Sequence, residues 1–156
     1  MSVEKVKEYL KQWNKDKDVI ELADSTATVL LAAQALNVEP GRIAKSITIK
    51  NGESGLMVVA SGDTKIDNKK FKSFFKFNPR MLSPEDAFNL TGFAVGGVCP
   101  FGLNDNVPIY LDDSLKRYDT VFPACGSSNS MIEISPAELE EVARVRAWID
   151  VCKFID

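Results

Sequence analysis

Two neighbouring strand-like segments in the middle of the chain constrain the fold more than any other feature. Residues 43–50 mix apolar and polar side chains about Ile47 and Ile49, whereas residues 56–60 are apolar throughout. Asn51 and Gly52, which lie between the two segments, are residue types that favour turns. We therefore predict a β-hairpin whose strands are joined by a longer loop.

Five other segments carry the apolar spacing and capping residues of amphipathic helices. Their predicted starts are at Val3, at Asp24 or Ser25, at Asp67 or Asn68, at Ser83-Pro84 and at Ser135-Pro136. The third helix is expected to direct Phe71, Phe74 and Phe75 inward. The apolar positions of the fifth are predicted to be Leu139, Val142, Val145 and Trp148 or Ile149.

Short strands are predicted near residues 19–22, 107–111, 120–122 and 131–134. Strands are therefore interleaved with helices along the chain and connected by hairpin-like turns. This order predicts an α/β (α+β) fold, in which a mixed sheet is flanked by helices. The 156 residues contain no repeat or linker, so we predict one domain over residues 1–156.

The complete absence of histidine limits the chemistry of this chain. A Ser-His-Asp triad, a Cys-His pair and a histidine-ligated zinc ion are all excluded. The three cysteines, Cys99, Cys125 and Cys152, contain no Cys-x-x-Cys spacing, which favours a reducing compartment. No apolar run approaches the ~20 residues of a membrane span. We expect a cytoplasmic protein that does not bind a membrane, a metal or a cofactor.

Positive charge is concentrated in one segment of an acidic chain. Residues 65–80 have a charge of +5, which leaves −8 on the rest of a chain whose net charge is −3. One basic edge on an acidic body suits contact with a polyanion, and a solvated helix face is the alternative. The six basic residues are Lys65, Lys69, Lys70, Lys72, Lys76 and Arg80.

A bend rich in glycine and proline is the strongest local motif. Residues 93–102 contain Gly96, Gly97, Pro100 and Gly102 between apolar segments. Such a bend can present backbone N–H groups to a carbonyl oxygen or an oxyanion. A purely structural turn is the alternative for this pattern.

Other residues have both a functional and a structural interpretation. Lys45 lies in a strand-like segment and could project into a pocket, or its ammonium group could reach solvent from an edge strand. Residues 60–63 follow an apolar strand, where polar ligand contacts are common. Cys99 and Cys125 could act as nucleophiles, but without histidine to activate them they are better interpreted as small buried apolar residues.

These segments, in this order, resemble the YbaK/ProX family of tRNA-editing domains, which is related to the editing insertion of bacterial prolyl-tRNA synthetase. The resemblance covers about residues 20–140 and implies a mixed, partly barrel-like sheet flanked by helices. The segments that carry it are residues 25–33, 43–46, 59–63, 90–102, 107–112 and 124–126.

The resemblance implies roles for individual residues. Lys45 matches the lysine thought to hold the 3′-terminal adenosine of tRNA, and the Gly97 and Val98 amides would polarise the aminoacyl carbonyl. Cys99 and Leu103 depart from the residues usual in the family, and both are expected to alter the lining of the amino-acid pocket. The substrate-binding positions implied are Thr26, Ser61, Gly62, Asp63, Gly96, Cys99, Pro100, Gly126 and Ser127.

The implied activity is trans-editing, the hydrolysis of the ester of a small mischarged amino acid on tRNA. The substrate's own hydroxyl or thiol group would assist the reaction, and residues 65–80 would contact the acceptor stem. An aminoacyl-tRNA synthetase is a candidate partner. Three alternatives remain open from sequence: a binding module of the same fold without catalysis, a thiol enzyme that uses Cys99, and a protein-interaction domain that uses the basic helix.

Overall fold

The computed structural model of the chain describes residues 3–155. Within that range it contains five α-helices and nine β-strands. The helices are α1 (Val3–Leu10), α2 (Val29–Leu36), α3 (Asn68–Phe75), α4 (Pro84–Thr91) and α5 (Pro136–Val142). The strands are β1 (Val19–Glu21), β2 (Ile43–Asn51), β3 (Ser54–Ser61), β4 (Thr64–Ile66), β5 (Ile109–Asp112), β6 (Phe122–Pro123), β7 (Ser130–Ile132), β8 (Ala147–Ile149) and β9 (Cys152–Phe154).

A mixed sheet in the strand order β6-β2-β3-β5-β8 forms the centre of the fold. β2 and β3 are antiparallel, and the other neighbouring pairs are parallel. The predicted hairpin is confirmed, but its predicted longer loop is wrong, because Asn51 pairs directly with Ser54. The resulting two-residue turn places Gly52 at a φ of 63°, a left-handed conformation that suits glycine.

The sheet does not stop at β6 but curls onward. Val121 and Ile134 exchange backbone hydrogen bonds of 2.8 and 3.0 Å, which link the approach to β6 with the end of β7. β7 in turn pairs antiparallel with β1. The predicted α/β class, with a mixed, partly barrel-like sheet flanked by helices, is therefore confirmed.

The apolar run of β3 contributes to two cores, one on each face of the sheet. Met57 and Val59 pack into the larger core, together with Phe93 and Phe101. Leu56, Val58 and Ala60 point the other way and pack against Phe71 of α3. A strand buried on both faces has no need of alternating polar residues, which explains its continuous apolar sequence.

Side-chain caps start four of the helices. Asp67, Ser83 and Ser135 cap α3, α4 and α5 as predicted, and Ser135 forms the full capping box with Glu138. The prediction for α2 is wrong, because Thr28 rather than Asp24 or Ser25 accepts the capping hydrogen bond, from the Leu31 amide at 3.1 Å. Among residues 3–155, no helix has the length and apolarity that would be required to cross a membrane.

Some predicted apolar helix positions lie elsewhere: Phe74 of α3 is exposed, and Val145, Trp148 and Ile149 lie beyond the end of α5. Phe74 is 49% exposed, because α3 packs through Phe71 and Phe75 and leaves Phe74 at the rim of the aromatic cluster. α5 ends at Val142, and a left-handed Arg144 (φ 53°) turns the chain back toward the sheet. Trp148 therefore lies in β8, where it pairs with Leu111 of β5.

A buried carboxylate fastens the C-terminal part of the chain to the sheet. Asp112 is 2% exposed, and its Oδ1 accepts a 2.9 Å hydrogen bond from the Val151 amide. Its Oδ2 accepts a 3.0 Å bond from the Ser114 amide. Because both amides would lose a charged partner if Asp112 were replaced, this side chain is a major local determinant of stability.

We predict that Asp112→Ala lowers the free energy of unfolding by about 3 kcal/mol, since one buried and one half-buried N–H group lose their charged acceptor. Asp113→Ala is the matched control, because the exposed Asp113 forms a surface ion pair with Lys116 at 3.1 Å. The control should change stability by about 0.5 kcal/mol or less. Urea denaturation followed by circular dichroism measures both, and equal losses would contradict the assignment.

Candidate functional site

The outer edge of β2 contains a gap that opens into a cavity. At one end of the edge, Ala44 pairs with Pro123 of β6. At the other end, the Leu82 amide donates to the Thr48 carbonyl at 3.1 Å and the Lys50 amide donates to the Arg80 carbonyl at 2.8 Å. Between these contacts lies a cavity of about 290 Å³.

Five parts of the chain wall this cavity. Most lining side chains are small or apolar, and none is a carboxylate. β2 and the start of α4 form one side, α2 with the residues before it another, the glycine-proline bend a third, and the segment between Phe122 and Met131 a fourth. The lining residues include Thr26, Ala32, Lys45, Ser46, Thr48, Leu82, Ala87, Gly96, Val98, Phe122, Ala124 and Ser130.

Gly97 joins the bend to a second small-residue loop. A Cβ atom at Gly97 would lie 2.7 Å from the Gly126 carbonyl carbon and 2.8 Å from the Ser127 nitrogen, so only glycine fits. The Gly97 amide donates to the Ala94 carbonyl at 3.0 Å. The bend itself therefore already pairs this amide, which leaves the Val98 amide as the better candidate to polarise a substrate carbonyl. The Val98 amide has no backbone partner among the described residues, and Val98 lines the cavity.

Gly96, Thr26 and Ser127 lie around the same cavity or directly behind its wall. Gly96 lines it with a left-handed φ of 90°, and a Cβ there would lie 2.9 Å from the Ala27 Cβ. Thr26 donates from its hydroxyl to the Ser128 carbonyl at 3.1 Å. The Ser127 hydroxyl lies 2.6 Å from that of Ser130, which lines the cavity. These contacts fasten the approach to α2 onto the loop that holds Gly126 and Ser127.

Lys45 lines the cavity, but its ammonium group is anchored beyond it. Nζ donates a hydrogen bond to the carbonyl of Thr64, the first residue of β4. Burial lowers the pKa of Lys45 below its usual value, while Cys152 and Asp63 act in the opposite direction. The half-buried lysine thus lines the cavity with part of its side chain, while its ammonium group is held at the Thr64 carbonyl.

Ser61, Gly62 and Asp63 do not line the cavity; they shape the turn that presents Thr64. The Gly62 amide donates to the Ile43 carbonyl at 2.7 Å, and a Cβ at Gly62 would lie 2.4 Å from the Pro40 carbonyl oxygen. Asp63 forms a two-pronged ion pair with Arg117, at 2.7 and 3.0 Å. Ser61 is fully buried and its hydroxyl has no partner within the described range.

Cys99 and Pro100 were predicted to bind substrate, but the structure places them away from the cavity. Cys99 is fully buried in the larger core. Pro100 and Leu103 instead border a second cavity of about 50 Å³ beside Tyr9. The chain turns into the core directly after Val98, which separates these residues from the first cavity. The residue at position 99 can therefore affect the pocket only through packing.

Burial keeps the three thiols protonated. It raises the pKa of Cys99 and of Cys152 to about 12, and that of Cys125 well above the ordinary value. The thiolate is the nucleophilic form of cysteine, so a thiol mechanism through Cys99 is disfavoured.

We predict that the native protein reacts with Ellman's reagent at pH 7.5 at least about a hundredfold more slowly than the denatured protein, because its thiols are both buried and protonated. All three cysteines should react in 6 M guanidinium chloride. Fast reaction of one native thiol, followed by loss of function that Cys99→Ala also causes, would restore the thiol mechanism.

The basic segment begins and ends beside the cavity. Lys65 follows Thr64, which binds Lys45, and Arg80 lies two residues before the cavity-lining Leu82. All six predicted basic residues are exposed. Lys70 pairs with Asp150 at 2.9 Å, and it is the one member of the six with an ion pair inside residues 3–155.

Comparison with known proteins identifies the family. The sequence model of the family described as "Aminoacyl-tRNA editing domain" matches residues 23–142. The chain belongs to the aminoacyl-tRNA editing domain family. The matched region contains every wall of the cavity, from Thr26 to Met131.

Relatives of this editing domain agree with that assignment. The chain is 51% identical over 154 residues to "Uncharacterized protein YwhH" of Bacillus subtilis, covering 98% of both chains. It is 30% identical over 106 residues to "Putative Cys-tRNA(Pro)/Cys-tRNA(Cys) deacylase EbsC" of Enterococcus faecalis, covering 67% of this chain and 65% of that one. A solved structure described as "Crystal structure of a putative trans-editing enzyme for prolyl tRNA synthetase" superposes with a TM-score of 0.86 at 32% identity, covering 97% and 96% of the two chains.

Several lining residues of the editing domain were not predicted from sequence. Ser46 and Thr48 are polar residues that alternate along β2 with the apolar Ile47 and Ile49. That pattern was the available signal, but it does not distinguish a cavity wall from a solvated edge. Leu82 and Ala87 carry no signal of their own, because their position depends on how the chain enters α4.

Proposed function

We propose that this editing domain is a trans-acting aminoacyl-tRNA deacylase, which hydrolyses the ester between a small mischarged amino acid and tRNA. The observation that carries the proposal is the cavity at the gap in β2, bordered by the glycine-proline bend in a chain of this family. A cavity of this size suits one small aminoacyl group, and both ends of a basic segment lie beside it.

The lining supports selection of small amino acids. Ala27, Ala32, Ala44, Ala87 and Ala124 all contribute to the walls. One methylene in such a pocket discriminates by only about 1–3 kcal/mol, which is why a second, size-selective site improves accuracy. Alanine, serine, cysteine, threonine and 2-aminobutyrate are the candidates.

Catalysis would depend on orientation and on carbonyl polarisation. An aminoacyl ester is already activated, and no histidine or carboxylate lines the cavity to serve as a base. The Val98 amide, with that of Gly96, is the donor proposed for the ester carbonyl in place of Gly97. The terminal ribose hydroxyl of tRNA, or a substrate thiol, would then supply the reactive group.

Lys45 is the residue proposed to hold the terminal adenosine. A lysine ammonium group has three N–H donors, and the Thr64 carbonyl accepts one of them. Two donors therefore remain for a phosphate or ribose oxygen. Burial lowers the pKa of Lys45. The negative charge of an approaching phosphate would act in the opposite direction and favour the charged form of the lysine.

The tRNA body would lie along residues 65–80, and a prolyl-tRNA synthetase or another synthetase is a candidate partner. A protein that acts on aminoacyl-tRNA works where translation occurs, which is consistent with the predicted cytoplasmic location. A second candidate function, a binding module without catalysis, is favoured by the absence of histidine and carboxylate side chains from the lining residues.

We predict that the wild-type protein deacylates at least one member of a panel of tRNA(Pro), tRNA(Cys), tRNA(Ala) and tRNA(Thr), each charged with alanine, serine, cysteine or threonine. Lys45→Ala should lower kcat/KM by at least about tenfold, because an anchoring charged hydrogen bond is lost. Lys17→Ala, which replaces an exposed lysine that does not line the cavity, is the matched control.

Release of labelled amino acid measures these rates, with circular dichroism to confirm folding. Binding of the charged tRNAs without turnover would favour the binding module. A Lys45→Ala variant as active as the Lys17→Ala control would remove Lys45 from the mechanism.

We also predict that tRNA affinity falls steeply with salt, because lysines on residues 65–80 displace counterions from phosphates. Replacing Lys69, Lys72 and Lys76 by glutamine should reduce the slope of log K against log salt by about one per lost phosphate contact. The same replacement of Lys5, Lys11 and Lys17 is the control. Identical slopes for the two triple variants would assign the basic face to another role.

A further inference from the structure

The main chain of Ser46 is open on the side that faces the cavity. The backbone N–H and C=O groups of successive β2 residues face opposite edges of the strand. Those of Ile43 face β3, because the Ile43 carbonyl accepts a hydrogen bond from the Gly62 amide at 2.7 Å. The backbone groups of Thr48 and Lys50 face away from β3 and bond to residues 80–82. Ser46 shares their orientation, yet its N–H and C=O have no hydrogen-bond partner among the described residues. One donor and one acceptor therefore face the gap together.

The gap is one residue wide, and a proline causes it. Residues 80–82 run antiparallel to β2 in a register that pairs Met81 with Ile49. Continued by two residues, the same register would place Pro84 opposite Ser46. Pro84 instead forms the first turn of α4, capped by Ser83, and has no N–H to donate. The strand ends there, and both Ser46 and Pro84 line the cavity.

A second observation also points to a ligand at this position. The Ser46 hydroxyl oxygen is shielded from solvent and has no hydrogen-bond partner within residues 3–155. Unpaired buried hydroxyl groups are uncommon, because leaving one unsatisfied costs about 1–3 kcal/mol. The side chain and the main chain of one residue are thus left without partners at the same gap.

We propose that the aminoacyl group of the substrate fills this gap and hydrogen-bonds to the main chain of Ser46 as a strand residue would. The substrate's α-amino group donates to the Ser46 carbonyl, and its ester carbonyl accepts from the Ser46 amide. The second lone pair of that carbonyl remains available to the Val98 amide. The assignment rests on the proposed editing function. It identifies Ser46 as the residue that recognises the α-amino and carbonyl groups of the substrate.

An amino acid fits this gap better than the adenine base does. Both offer a donor beside an acceptor, but the missing element is one residue of an antiparallel strand, and an aminoacyl group has that backbone chemistry. With no carboxylate in the lining, carbonyl and hydroxyl oxygens are the acceptors available to an α-amino group. In an opposed pair, the substrate side chain would lie on the same face as Ser46, where small residues limit its size.

Substrate analogues test the proposal with the wild-type protein. Alanyl-tRNA(Pro) is compared with propionyl-tRNA(Pro), which lacks the α-amino group, and with alanyl-tRNA(Pro) that ends in purine riboside, which lacks the adenine amino group. Each rate is divided by the uncatalysed rate, because loss of the α-amino group also slows spontaneous hydrolysis. We expect this ratio to be at least about tenfold lower for the propionyl ester than for alanyl-tRNA(Pro), and nearly unchanged for the purine riboside substrate. The reverse order would overturn the proposal.

Two variants of Ser46 separate the main chain from the side chain. Ser46→Pro removes the N–H that points away from β3, together with the hydroxyl, while the β2–β3 ladder keeps its hydrogen bonds. Ser46→Ala removes the hydroxyl alone and therefore controls for that part of the change. Ser46→Pro should lower kcat/KM for alanyl-tRNA(Pro) by about tenfold or more and reduce the preference over propionyl-tRNA(Pro). Ser46→Ala, which keeps the main chain, should retain that preference. A Ser46→Pro variant with the full preference would contradict the proposal, since a general structural defect slows both substrates alike.

Binding of a stable analogue distinguishes failure of this inference from failure of the deacylase proposal. The probe is 3′-alanylamino-3′-deoxyadenosine, whose amide resists hydrolysis, with its 3′-propionylamino counterpart as control. If no tRNA is deacylated but the alanyl probe shifts the Ser46 amide resonance more than the control does, the inference stands and the catalytic proposal fails. If tRNA is deacylated while the Ser46 resonance responds to neither probe, the inference fails alone.

Discussion

The site depends on a strand edge that the chain cannot complete. β2 receives partners from β6 at Ala44 and from residues 80–82 at Thr48, but Pro84 turns into α4 before it can reach Ser46. The rest of the site surrounds this gap in the edge of β2. α2 covers it, the glycine-proline bend forms a wall, and the loop at Gly126 supports the bend. A sheet edge inside a cavity supplies directed donors and acceptors that are held rigidly by the ladder behind them.

The electrostatics of the site suit binding and polarisation rather than acid–base catalysis by side chains. The cysteines are protonated by burial, the cavity has no carboxylate in its lining, and the charge of Lys45 is held at the Thr64 carbonyl. The Asp63–Arg117 pair fixes the turn that carries Thr64, so a surface ion pair helps to position an interior lysine. Such an arrangement suits a substrate that brings its own reactive group.

Sequence predicted the hairpin, three of the helix caps and the class of fold, because each rests on short-range chemistry visible in the residues. It also brought Thr26, Lys45, Gly96 and Val98 to one site through family resemblance. It could not predict that the Gly97 amide is consumed by the Ala94 carbonyl, or that Cys99 turns into the core, because both depend on how the bend packs against Gly126. Ser46 was overlooked since its significance comes from an absent partner, which is a property of register and not of residue type.

The most direct test of this account is a crystal structure of the protein with 3′-alanylamino-3′-deoxyadenosine bound. The account predicts the alanyl group in the gap between Ala44 and Thr48, paired with the main chain of Ser46, and its carbonyl within hydrogen-bond distance of the Val98 amide. A complex with the adenine base in that gap, or with the alanyl group outside the cavity, would contradict it.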